Sequence, residues 1–209
     1  MADTTPKDNK TAILDAAESL MAKHGIKGVS LRSIIAEADA NSAALHYHFG
    51  SREGLVEAII ARSGRKMSHR RTEMLIYLEE QPDTVDAFDI VVDPMVQLLH
   101  EEGEAGRRFI RFIARLQSDQ SNIHRALEEE YFPDMGKRMI QLLTRICPQV
   151  SERELKRRAT IMVDTMLHSL ANADVMTETW QDEYDSQALN DHVETLKTFL
   201  AAGLSSPQR

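Results

Sequence analysis

The chain has 209 residues, 42% of them hydrophobic and 28% charged, a balance that supports a folded core and excludes a disordered or fibrous chain. Its single cysteine, Cys147, excludes an internal disulfide and a cysteine-rich metal site. No apolar run approaches the ~20 residues of a membrane span, and the N-terminal MADTTPKDNK lacks the apolar stretch of a signal peptide, so no membrane partner and a cytoplasmic location are expected.

The net charge of -8 is unevenly divided: residues 1–71 hold 11 Lys+Arg against 8 Asp+Glu, and residues 72–209 hold 14 against 25. A mildly basic head on an acidic body suits a polyanionic partner, because the body's charge would orient the head toward it. An ordinary solvated acidic surface explains the same division equally well.

After a polar tail to about residue 9, expected to be disordered, residues 10–24 place Ile13, Ala17, Leu20 and Met21 on one helix face, and Gly25 stops the helix. Residues 30–38 repeat the pattern with Leu31, Ile34, Ile35 and Ala38, and Ser30 offers a capping oxygen. Asp39, Ala40, Asn41 and Ser42 are small or turn-forming, and either Asn41 or Ser42 can cap a second short helix over 43–49. Two short helices joined by a tight turn are a helix-turn-helix layout.

Within that second helix Leu45 and Phe49 can face a core, which leaves Ser42, Ala44, His46, Tyr47 and His48 as a face of small, aromatic and imidazole groups. Such a face suits a major groove: Ala44 permits close approach, and the larger side chains carry donors for base edges or phosphates. Gly50 ends the helix, Ser51 caps the next, and Arg52 can reach a phosphate. His46 and His48 are two apart and do not share a helix face, so no metal site is expected from them.

These residues resemble the DNA-binding domain of the TetR family of transcriptional regulators. The family pattern runs A-G-V-S, then L-Y-x-H-F, a small linker and K-E-x-L. This chain has Ala38, Asp39, Ala40, Asn41, then Leu45, His46, Tyr47, His48, Phe49, then Arg52, Glu53 and Leu55. It departs at Asp39, which stands at the turn glycine, at Ala40, and at His46, which stands where the family has a phosphate-binding tyrosine. The candidate DNA contacts are Ser30, Arg32, Ser42, Ala43, Ala44, His46, Tyr47, His48 and Arg52. Tyr47 and Arg52 are expected mainly on phosphates, and Ser42, Ala44 and His46 nearest base edges.

The rest of the chain reads as further helices. A long one over about 51–77 would pack Leu55, Val56, Ile59 and Ile60 under the head, with Arg62, Arg65 and Lys66 outward. Pro82 and Asp83 break the chain; residues 84–102 are helical with a kink expected at Pro94. A dense apolar segment over 104–117 follows, then one capped by Ser121 that runs past Pro133 to Cys147. Ser151 and Glu154 form a capping-box pattern opening a helix to about 176, with Leu155, Ala159, Met162, Met166 and Leu170 in one stripe. A loop is expected over 184–187. The last helix carries Leu189, Val193, Leu196 and Leu200 at alternating spacings of four and three, the spacing of a packing seam. No strand signal appears, so the expected fold is all-α: a three-helix head over 1–51 and a larger helical body over 52–209.

The resemblance implies a homodimer on double-stranded operator DNA with inverted-repeat symmetry, with the last two helices forming the interface and a ligand cavity among the middle helices. Leu189, Val193, Leu196 and Leu200 are the candidate interface residues. Met95, Phe112, Met139 and Met166 are the candidate ligand residues, since flexible thioethers suit a pocket for a hydrophobic small molecule; ordinary core filling is the competing reading of each methionine. Residues 147–170 are also similar to the family branch that responds to acyl compounds. Arg111 or Arg115 could hold a carboxylate there, against the plainer reading of a solvated arginine. An enzyme would need a phosphate loop, a nucleophile elbow or a paired-histidine zinc motif, and the sequence carries none. A helical interaction scaffold would leave the His46–His48 face without a purpose.

Overall fold

The structure is a computed structural model that describes residues 6–80, 89–118, 134–179 and 185–207. Among these residues every regular element is a helix. The first three are α1 (Pro6–His24), α2 (Leu31–Glu37) and α3 (Ser42–Phe49), followed by the long α4 (Arg52–Glu80). The body holds α5 (Asp89–Glu102), α6 (Glu104–Ser118), α7 (Met135–Ile146), α8 (Glu152–Ala171), α9 (Ala173–Thr179) and α10 (Ser186–Ser205). No described helix is long and apolar enough to cross a membrane.

The head forms where the periodicity places it. Ile13, Ala17 and Met21 of α1, Ile34 of α2, and Leu45 and Phe49 of α3 are all buried together. Leu55, Val56, Ile59 and Ile60 from the first half of α4 join the same core. Gly54 permits this: a Cβ there would lie 2.0 Å from the Phe49 carbonyl oxygen, so only a hydrogen lets α4 start so close beneath α3. The N-terminal tail is shorter than expected, because α1 already begins at Pro6, a residue suited to a first helical turn.

Helix α6 is the body's central rod and packs against α1, α5 and α8. Gly103, at φ 54, makes the turn from α5 into α6, and Gly106 lets α6 approach the Leu98 backbone where a Cβ would stand 2.4 Å from its carbonyl oxygen. Contacts of Arg111 with Ala171 and of Gln117 with Asp164 show that α6 and α8 run antiparallel. Likewise α8 and α10 are antiparallel, since Arg158 meets the Leu204 carbonyl and Ser169 meets His192. Lys197 ties α10 to α5 through Asp89 and Asp93, at 2.8 and 2.6 Å.

Several expectations are corrected. Arg62 points inward, bonded to Asp15 and Glu18 of α1. Ser151 is the N-cap of α8 but makes no side-chain cap bond: the Glu154 amide donates to the Ser151 carbonyl oxygen at 2.9 Å instead, and the Glu154 side chain is turned toward Arg158 and Arg157. The helix expected to run to residue 176 breaks at Asn172, where α9 begins afresh. Asp185 caps α10 through the Ala188 amide, so residues 186 and 187 are helical and not loop. Pro94 lies inside α5, whereas the Pro82–Asp83 break and the Ser121 cap lie outside the described residues.

The largest correction concerns Leu189, Val193, Leu196 and Leu200. All four are buried within the single chain, because α10 turns this stripe onto α8 and α5. The seam is real, but its partner is the chain's own body.

Candidate nucleic-acid interface

The helix-turn-helix is built by local hydrogen bonds that the sequence supplies. At the start of α2 the Ser30 hydroxyl accepts from the Ser33 amide at 3.0 Å, and the Ser33 hydroxyl answers toward the Ser30 backbone, a reciprocal capping box. The turn passes through Asp39 at φ 46, a left-handed conformation that aspartate tolerates better than most residues. Asn41, not Ser42, then caps α3, accepting from the Ala44 amide at 2.8 Å. Gly50 closes α3 at φ 69 and its amide donates to the His46 carbonyl. The Ser51 hydroxyl accepts from the Gly54 amide to begin α4.

At roughly 100° per residue, Ala43 and Tyr47 lie opposite the Leu45–Phe49 core face, and His46 and His48 occupy the two flanks. Tyr47 is 83% exposed, an unusual position for an aromatic ring. Its ring meets His48 edge-on at a centroid distance of 5.0 Å, and His48 tilts against Phe49. The His46 Nδ1 lies 2.9 Å from the Gly50 carbonyl oxygen. Ser42, Ala43, Arg32 and Ser30 are exposed, and Ala44 is half-buried. Of the nine expected residues, Ser30, Arg32, Ser42, Ala43, His46 and Tyr47 are exposed and Ala44 and His48 are half-buried, with Ser30 committed to its cap.

Arg52 is the exception. It is half-buried, and its guanidinium donates to the Ile26 carbonyl in the link between α1 and α2. It fastens the start of α4 to that link, a role invisible in the sequence because the two residues are 26 positions apart. Beside it, Glu53 is held below the usual carboxylate range by its own backbone amide and by the Ser51 hydroxyl.

A buried charge cluster joins this head to the body. Glu18 on α1 is 1% exposed. Its carboxylate accepts from Arg62 of α4 and, at 3.0 Å, from Arg108 of α6. Asp15 accepts from Arg62 at 2.5 Å. Burial disfavours the Arg62 charge, but the two carboxylates outweigh it and raise its pKa above the usual arginine value. A buried carboxylate is tolerated only when paired in this way.

In the body, Met95, Phe112, Met139 and Met166 are each buried, one on each of α5, α6, α7 and α8. A cleft of about 310 Å³ between α6 and α8 is lined by Ala114, Gln117, Ser118, Asp164, Leu167 and His168, and includes none of the four. Arg111 is not positioned for a ligand carboxylate: it donates to Asp174 and to the Ala171 carbonyl. Arg115 is exposed. Cys147 is buried, and burial raises its thiol pKa against the pull of Arg158, so the thiolate is disfavoured. The outward faces of α8 and α10 carry two large apolar residues, Ile161 at 64% and Phe199 at 67% exposed; the spacing predicts Ile161 as a widening of the buried stripe, but the helix turns it outward. Because Arg158 pairs with residue 204 and Ser169 with residue 192, these two stand at matching levels along the antiparallel pair.

Comparison with known proteins agrees with this architecture. Residues 13–59 match the family model "Bacterial regulatory proteins, tetR family", and residues 89–203 match "Tetracyclin repressor-like, C-terminal domain". The HTH-type transcriptional regulator UidR of Escherichia coli (strain K12) is 26% identical over 98 residues. That match spans 47% of this chain and 46% of UidR, less than half of either. Among solved structures, the SmeT–triclosan complex superposes with a TM-score of 0.52 at 22% identity, covering 90% of each chain. A transcriptional regulator from Aquifex aeolicus VF5 gives a TM-score of 0.50 at 21% identity, covering 92% of this chain and 97% of that one. At such identities these structures support the fold.

Proposed function

This chain belongs to the TetR family of DNA-binding transcriptional regulators, and from that membership we propose that it is a cytoplasmic homodimeric repressor, released from an inverted-repeat operator by a hydrophobic small molecule. The observation that carries the DNA reading is the exposed face of α3, where Tyr47 stands 83% exposed over Ala43 and the half-buried Ala44. Small residues let the helix approach base edges, while Arg32, His46 and His48 supply polar contacts around it. Arg52 serves this interface by positioning α4 through Ile26. We assign residues 1–51 to the DNA-binding head and 52–209 to the ligand-binding and dimerisation body.

Dimerisation is assigned to the outward faces of α8 and α10, centred on Ile161 and Phe199, in place of the buried leucine stripe. Two exposed large apolar side chains at one level of a helix pair support this, since a two-fold axis would stack them against their copies. For the effector, four buried apolar side chains on four different helices favour an apolar molecule over a sugar or nucleotide. SmeT, whose structure is described as a triclosan complex, is a relative of this fold. Such a molecule must prefer the dimer whose heads are wrongly spaced, and a 100-fold weakening of operator binding requires about 2.7 kcal/mol of differential affinity. The Glu18–Arg62–Arg108 cluster is the joint through which a shift of α6 would move α1 and α4 together.

The test is selection of duplexes from a randomised pool by the purified full-length protein, followed by affinity measurements across a salt series. Dyad-symmetric sequences should be enriched, and log affinity should fall linearly with log salt. Recovery of sequences without dyad symmetry would overturn the homodimer reading, and absence of any enrichment would overturn the regulator reading.

A further inference from the structure

His46 differs from its flanking neighbours in one respect: its ring is already committed on one side. The Nδ1 atom lies 2.9 Å from the Gly50 carbonyl oxygen. A carbonyl oxygen can only accept, so Nδ1 carries the proton of that bond. In the neutral ring Nε2 is then a lone pair, an acceptor with no proton to give. Only the imidazolium offers a second N–H.

His46 also sits on the flank of α3, about 80° from the core-facing direction set by Leu45 and Phe49. When a helix lies in a major groove, its flanks meet the sugar-phosphate rims and its outermost residues meet the base edges. A phosphate oxygen accepts hydrogen bonds and repels a lone pair. Resting on the DNA-binding reading above, we propose that His46 binds an operator phosphate through Nε2–H only in its protonated form, so that operator binding takes up a proton and strengthens as pH falls. The Gly50 carbonyl is therefore a positioning group, holding the tautomer that makes the contact conditional.

The sign follows from linkage. Protonation of the ring and binding of the phosphate favour one another, so the contact strengthens as pH falls and is lost as pH rises. The elements packed against α3 carry further titratable and charged groups: Tyr47 and His48 on α3 itself, Arg52 and Glu53 on α4, Lys23 and His24 at the end of α1, and Arg32 and Glu37 on α2. Among the described residues, the ring's hydrogen bond is with Gly50 alone. His48 is the group that could mimic the effect, and it is separated by substitution.

The probe is a duplex selected from a random pool by the full-length protein, titrated at fixed ionic strength from pH 6 to pH 8. The parent should lose at least about tenfold in affinity, since both heads of the dimer carry the contact. His46→Gln should remove that slope, His46→Tyr should bind tightly without a slope, and His48→Gln should keep it. Calorimetry in two buffers of different ionisation enthalpy should show proton uptake near pH 7 in the parent and none in His46→Tyr. A slope that persists in His46→Gln and His46→Tyr, or that vanishes in His48→Gln, would overturn the proposal. Affinity independent of pH in the parent would overturn it too while leaving the regulator reading standing, whereas failure to select any duplex would strike the regulator reading itself.

Discussion

Replacing Phe199 and Leu196 by aspartate, one at a time, separates the two faces of α10. Phe199 is 67% exposed in the single chain. A phenylalanine side chain offers about 200 Å², so roughly 130 Å² is open to solvent and available to a partner. At about 25 cal/mol per Å², covering it contributes up to about 3 kcal/mol, and two-fold symmetry doubles this to about 6 kcal/mol per dimer. Losing that corresponds to about four decades in the dimer dissociation constant. Phe199→Asp should therefore yield a folded monomer at micromolar concentration, with helicity and melting intact and operator affinity collapsed. Leu196→Asp should act differently, because Leu196 is buried against its own chain: an unpaired carboxylate there costs several kcal/mol of fold stability. Sedimentation equilibrium together with circular dichroism melting distinguishes the two. If Phe199→Asp remains dimeric at nanomolar concentration, or if Leu196→Asp gives a monomer as stable as the parent, the assignment of these faces is wrong.

Glu18→Gln should leave Arg62 and Arg108 without their shared carboxylate, costing about 3 kcal/mol of stability by urea unfolding; a loss below 0.5 kcal/mol would show that the cluster does not hold head to body. Gly54→Ala forces a methyl against the Phe49 carbonyl oxygen and should weaken operator binding strongly while the melting of the body changes little; unchanged affinity would refute the close approach. For Asp174, burial raises the carboxyl pKa, but the Arg111 hydrogen bond, the Val175 amide and the charges of Arg111 and Arg107 outweigh it, and the net shift is downward. A depressed folded-state pKa adds stability that is present above the ordinary aspartate value and lost as pH falls through the folded value. Asp174→Asn should thus destabilise the protein at pH 7 and flatten its stability profile below about pH 4; an unchanged acid limb would refute this.

The local chemistry of the head was legible in the sequence because its signals are short-range. Helical spacing placed Ile13, Ala17, Met21, Ile34, Leu45 and Phe49 in one core, and the turn residues dictated a stop, a cap and a restart within a few bonds. Even so, two adjacent capping candidates could not be ranked by type, and the backbone chose Asn41 over Ser42. The site's departure from the family, His46, was readable as a residue. Its committed Nδ1 was not, since that bond depends on how the chain turns at Gly50.

What periodicity states is which residues share a face, and what it leaves open is whose surface covers that face. The stripe Leu189, Val193, Leu196, Leu200 was correctly grouped, but burial against the chain's own α8 and burial against a partner give the same spacing of apolar residues. Only the packing of α10 decided between them, and it left Phe199 outside. Long polar side chains are underdetermined for a related reason: Arg52, Arg62, Arg108 and Arg111 look solvated on a helical wheel, yet each finds its partner on another element, from 26 to 90 positions away. A guanidinium reaches several ångströms beyond its own helix, so its partner is fixed by the distance between elements in space, which spacing along the chain does not encode.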